Sequence, residues 1–112
     1  MEKKATFKTI KANQLKKKID AGGNFELIDV LSKDSFDEKH IPNSKNIPVS
    51  EIENRAPKEL PNKNKEIIVY CDSKTSQSSP TAAKKLVEMG YTKVIDFEDG
   101  LAGWQGAGYK FA

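Results

Sequence analysis

The longest unbroken apolar run in the chain, Ile67 to Cys71, is five residues. A membrane-spanning helix requires ~18 consecutive apolar residues, so no span is expected. A β-branched run of that length, entered from Glu66, suits instead a short strand buried on both faces. Leu27, Ile28 and Val30 form a second compact apolar stretch of the same kind within Glu26 to Val30. Strands that are apolar on both sides belong in a parallel sheet covered by helices.

The rest of the chain supplies those helices. Phe7 to Ile10 reads as a short extended segment, and Ala12, Leu15 and Ile19 then recur on one helical face that Gly22 and Gly23 end. Asp34 to His40 is expected as a short helix stopped at Ile41-Pro42, followed by a brief strand, Lys45 to Ile47. Ser50 reads as the cap of a helix running to about Asn54, and Pro57 and Pro61 mark a polar loop before the Glu66 to Tyr70 strand. Ser79 reads as an N-cap with Pro80 in the first turn, and Ala82, Ala83, Leu86, Val87 and Met89 make the apolar face, closed by Gly90. Val94 to Phe97 is the last strand, and Leu101 and Trp104 lie on a short terminal helix. The pattern is an α/β domain spanning residues 1–112: a mainly parallel central sheet of about five strands with helices on both faces.

A length of 112 residues suits one hydrophobic core. A single cysteine, Cys71, excludes an internal disulfide and any CxxC metal or redox pair. The net charge of +3 conceals an asymmetry, because residues 1–18 carry seven lysines against Glu2 alone. Arg55 is the only arginine, which argues against base readout of nucleic acid, and Lys11, Lys16, Lys17 and Lys18 are read as a solvated helix face. The N-terminus carries Lys3 and Lys4 with no apolar segment or cleavage site behind them, so a cytoplasmic, monomeric protein is expected.

Open α/β sheets bind ligands beyond the carboxyl ends of their strands, and Cys71 stands at such an end. Between it and the next helix runs Asp72-Ser73-Lys74-Thr75-Ser76-Gln77-Ser78. Successive backbone amides of such a loop, with the positive end of the following helix, can cradle an anion and favour thiolate over thiol. A lone cysteine at a strand end also fits a small core residue. The hydroxyl-rich loop favours a nucleophile, with Cys71 catalytic and Asp72, Ser73, Lys74, Thr75, Ser76, Gln77 and Ser78 as the substrate-binding cradle. Lys74 is equally suited to attracting an anionic substrate or to simple solvation. His40 is read as ordering a turn, Asp29 as accepting loop amides, and Trp104 as core.

Several ordered segments resemble a single-domain rhodanese, a sulfurtransferase. Phe25-Glu26-Leu27-Ile28-Asp29-Val30 is similar to the family's second strand, and His40-Ile41-Pro42-Asn43-Ser44-Lys45-Asn46-Ile47-Pro48 to its HIPGAxNIP segment. Ile68-Val69-Tyr70-Cys71 resembles the active-site strand, Ala82-Ala83, Leu86 and Gly90-Tyr91 the helix and turn that follow, and Asp99-Gly100-Leu101-Ala102-Gly103-Trp104 with Ala107-Gly108-Tyr109 the terminal GGxxxW signature. The resemblance implies that Cys71 attacks a sulfane-sulfur donor such as thiosulfate or a persulfide, carries the sulfur as a persulfide, and yields it to a thiol or cyanide-like acceptor, a sulfur-relay protein among the expected partners. It implies no metal and no organic cofactor.

The departures from that pattern matter too. Leu31 stands where the DVR motif has arginine. The loop is two residues longer than the common version and resembles a subgroup with a second cysteine at the position of Ser76, so discharge of a persulfide requires an external acceptor. Related phosphatases close a CxxxxxR loop on phosphate, whereas position 77 is Gln. A non-catalytic rhodanese-like binding module is the alternative expectation, with a Cys-dependent phosphatase or arsenate reductase behind it.

Overall fold

The computed structural model describes residues 6–112; Lys3 and Lys4 lie outside them. In chain order the elements are β1 (Lys8–Thr9), α1 (Ala12–Asp20), β2 (Phe25–Asp29), α2 (Lys33–Glu38), β3 (Ser44–Asn46), a 3-10 turn (Val49–Glu51), α3 (Ile52–Glu59), β4 (Glu66–Tyr70), α4 (Ser78–Glu88), β5 (Val94–Phe97) and α5 (Gly100–Gly106). The five strands make one sheet in the order β1-β5-β4-β2-β3. Every adjacent pair is parallel, so all carboxyl ends lie along one edge.

The central strand β4 shows why the sheet needs cover on both faces. Ile67, Val69 and Cys71 point into one core with Ile28, Val30, Ile52, Ala56, Ala82, Ala83 and Leu86, against α3 and α4. Ile68 and Tyr70 point into the other with Leu15, Leu27, Phe97, Leu101 and Trp104, against α1 and α5. Trp104 is buried there and donates through Nε1 to the Lys110 carbonyl at 3.0 Å. No helix among the described residues is long and apolar enough to cross a membrane.

Three local expectations are corrected. The second helix starts earlier than Asp34 because Ser32 caps it, its Oγ accepting from the Ser35 amide at 3.2 Å. It ends at Glu38, leaving His40 outside, where the ring stacks on Phe36 with centroids 3.8 Å apart. The third helix does not stop near Asn54 at a Ser50 cap; it runs to Glu59 with Pro57 inside it. Burial of Ile52, Ala56 and Leu60 along one stripe and the pairing of Arg55 with Glu51 and Glu59 hold the turn that proline would otherwise loosen. Finally, Ser79 is not a cap but lies inside α4, whose N-cap position is Gln77. The basic face of α1 is partly tied down, Lys16 to Asp20 and Lys18 to Glu66.

Candidate active site

Cys71 follows β4 directly and is fully buried. Its position is set by the sheet: Tyr70, the last residue of the strand, is in register with Asp29 on one side and Phe97 on the other. Residues 72–77 then cross to the N-terminus of α4, an 11-residue helix whose first amides face the carboxyl edge of the sheet. Asp72, Lys74, Thr75 and Gln77 are exposed, and Ser73, Ser76 and Ser78 half-buried. Within the loop the Ser76 amide donates to the Ser73 carbonyl at 3.1 Å and the Ser78 amide to Ser76 Oγ at 3.4 Å. The amides of Ser73, Lys74, Thr75 and Gln77 have no acceptor among the described residues.

The hydrogen-bond partners of the sulfur are a hydroxyl and a carbonyl. The Cys71 thiol donates to Ser79 Oγ at 3.3 Å and, more distantly, to the Ser73 carbonyl at 3.8 Å. The chain's own turn after β5 clamps the loop from the other side. The amides of Leu101 and Ala102, in the first turn of α5, donate to the carbonyls of Cys71 and Asp72 at 3.0 and 2.9 Å. Gly100 makes the approach possible by adopting φ +61°.

Two residues of this neighbourhood escape a reading of the sequence. Ser79, in the first turn of α4, is fully buried with its hydroxyl at the sulfur. Asp96, in the middle of β5 and in register with Val69, is 2% exposed. Burial drives its carboxyl up to about 6; the Ser79 hydroxyl opposes that rise, and the charge of Glu98 adds to it. A single acidic residue within an apolar strand is the signal that marks Asp96 in the sequence. On the opposite face Asp29 accepts the Leu31 amide through Oδ1 at 2.9 Å, and burial raises its carboxyl as well.

His40 donates through Nδ1 to the Phe36 carbonyl, 2.7 Å away, and so braces the turn before Ile41. Beside the loop a cleft of about 180 Å³ is lined by Leu31, Ser35, Glu38, Lys39, Asp72 and Leu101. Leu31 and Leu101 supply its apolar surface, and the other four residues are polar or charged.

A model of the rhodanese-like domain matches residues 11–107. The chain is 32% identical over 105 residues to "Putative sulfur carrier protein YrkF" of Bacillus subtilis, an alignment covering 94% of this chain and 55% of that protein. It is 36% identical over 67 residues to the thiosulfate sulfurtransferase PspE of Escherichia coli, covering 60% of this chain and 62% of that one. The chain therefore spans little more than half the length of these curated relatives. Among solved structures, a thiosulfate sulfurtransferase from Pseudomonas aeruginosa superposes with a TM-score of 0.85 at 28% identity, over 94% of this chain and 20% of that one. The BH2092 protein of Bacillus halodurans superposes with a TM-score of 0.86 at 25% identity, over 94% and 76% of the two chains.

Proposed function

This chain belongs to the rhodanese family, and from that premise we propose that it is a sulfurtransferase or sulfur carrier that works through a persulfide on Cys71. The observation that carries the reading is the placement of its one cysteine: at the carboxyl end of the central strand, where residues 72–77 lead to a helix N-terminus and the Ser73, Lys74, Thr75 and Gln77 amides are free to meet an anion.

The chemistry is two nucleophilic exchanges. In the first, the Cys71 thiolate attacks the outer sulfur of a donor such as thiosulfate; a new S–S bond forms at Cys71, the donor's S–S bond breaks, and sulfite departs with the electron pair. In the second, an acceptor thiolate or cyanide takes the outer sulfur and Cys71 leaves as thiolate. The free amides of Ser73, Lys74, Thr75 and Gln77 are placed to stabilise the persulfide anion, as oxyanion-hole donors stabilise developing charge. Asp72, Ser76 and Ser78 complete the loop, and Lys74 attracts the anionic donor.

With Ser76 in the loop and no second cysteine, the persulfide is discharged by an external acceptor, a small thiol or a relay protein. The cleft lined by Leu31, Leu101 and four polar or charged residues offers that acceptor an approach beside Asp72. A cytoplasmic setting, where a lone thiol stays reduced, suits this cycle.

The test is direct. Reduced protein incubated with thiosulfate and weighed by mass spectrometry should gain one sulfur atom at Cys71, and cyanide should remove it. If neither thiosulfate nor a small persulfide adds that mass, the carrier reading fails and a binding module takes its place.

A further inference from the structure

We propose that Ser79 is a second catalytic residue, the hydrogen-bond donor that holds the Cys71 sulfur as thiolate before sulfur loading and again as it leaves the persulfide. The inference rests on the reading of Cys71 as nucleophile and adds the group that meets its charge.

Two groups lie within hydrogen-bonding reach of the sulfur, Ser79 Oγ at 3.3 Å and the Ser73 carbonyl at 3.8 Å. A carbonyl can only accept, so it serves the thiol and repels the thiolate. A hydroxyl does both, accepting from S–H and, after a turn about its Cβ–Oγ bond, donating to the thiolate. Of the two groups, Ser79 is therefore the one that can follow the sulfur through ionisation. The free amides of Ser73, Lys74, Thr75 and Gln77 remain for the outer sulfur of the persulfide.

Packing does not call for a serine at this position. Ser79 is the second residue of α4, fully buried, and caps nothing, since the N-cap position is Gln77. Ala82 and Ala83 are buried one turn further along the same helix, and alanine is the better helix former. A thiol is a weak donor that is at home in a core without a partner. The thiolate is the form that needs the hydroxyl.

The chemistry balances with Ser79 intact. On ionisation the S–H bond breaks, its electron pair stays on sulfur, and the proton leaves to water as the donor enters. The Ser79 O–H bond does not break. At discharge the S–S bond breaks, its pair returns to Sγ, and the same hydroxyl donates to the departing thiolate.

The elements packed around the sulfur bring few charges to it. From β2, α3 and α4 the neighbouring side chains are apolar, apart from Ser79 itself. Asp96 of β5 is the titratable group buried on that face. Asp72 and Lys74 of the loop are exposed, and Glu98, beyond the end of β5, is half-buried.

Because Cys71 is the only cysteine, its thiolate can be followed by ultraviolet absorbance against a Cys71→Ser blank. The midpoint should lie about one pH unit higher in Ser79→Ala than in the native protein, a roughly tenfold loss of thiolate below it. Ser79→Thr, which keeps the hydroxyl, should return it to the native value. Thiosulfate loading of Ser79→Ala should be slower by the same factor below the native midpoint and converge with the native rate above both midpoints. The shift should persist when Asp96→Asn is added, because the carboxyl is not its source. An unmoved midpoint in Ser79→Ala, an equal shift in Ser79→Thr, or a shift that vanishes with Asp96→Asn overturns the proposal. So does a loading deficit that stays constant at high pH, which would mark a displaced loop. Alanine suits the interior of α4, so the deciding variant keeps its helix. Failure of the native protein to load sulfur, with the shift intact, would fault the functional reading and leave the donor at the sulfur standing.

Discussion

A Cβ built on Gly100 would lie 2.3 Å from the carbonyl oxygen of Cys71. That oxygen is also the acceptor for the Leu101 amide, so the first turn of α5 and the nucleophile's own peptide are in direct contact. The site is therefore held from the C-terminal signature as well as from its own loop.

Gly100→Ala should accordingly cost more than a surface substitution. The left-handed φ alone costs an L-residue about 1–2 kcal/mol, before the collision with the Cys71 peptide is counted. We expect a loss of at least ~2 kcal/mol in denaturant unfolding, and slower sulfur loading in the protein that remains folded. Unchanged stability would mean that α5 can shift away from the loop freely.

Cys71→Ser should abolish sulfur loading while the fold persists. A serine hydroxyl is smaller than the thiol, and Ser79 Oγ and the Ser73 carbonyl are already in place to accept from it. The stability change should stay under ~1.5 kcal/mol, as read from denaturant midpoints. The same variant serves as the blank in an aryl phosphate assay, where native protein should show no Cys71-dependent turnover, because the loop offers no arginine to clamp phosphate.

Tyr70→Phe tests how the segment after α2 is anchored. The buried phenol accepts from the Ile41 amide at 3.0 Å and shares a hydrogen bond with Ser44 Oγ at 3.0 Å. Removing the hydroxyl strands the Ile41 amide in the core, a loss of about 1–3 kcal/mol. Thermal unfolding should fall by roughly 4–8 °C per kcal/mol. Sulfur loading should change far less, since Tyr70 faces away from Cys71.

Asp96 makes stability depend on pH in an unusual direction. Burial raises its carboxyl from 3.8 to about 6, so the folded chain holds this proton more tightly than the unfolded one. Stability from this group is present at acid pH and falls as pH rises through that interval. Asp96→Asn should match the native protein below the window and exceed it above, by on the order of 2–3 kcal/mol. Melting curves at acid and neutral pH decide it; an equal difference at both would assign the effect to packing.

What could be read in the amino-acid order is local in origin. The apolar run ending at Cys71, the second run around Ile28, the helical faces at Leu15 and Leu86, and the Pro80 start of α4 each depend on neighbours within a few residues. Together they dictate alternating strands and helices, a parallel sheet and a cysteine at a strand end. Where the reading missed, longer-range packing outweighed a local signal. Pro57 stays helical because Ile52, Ala56 and Leu60 are buried together, and the cap signal of Ser79 yielded to its place against Cys71. The contact of Cys71 with Ser79, and the burial of Asp96 on the same face, join the end of one strand, a helix and a second strand, and no spacing along the chain encodes them. Only the register of β4 against β5, and the seating of α4 above them, buries the Asp96 carboxyl on the same face as the sulfur and sets the Ser79 hydroxyl at Cys71.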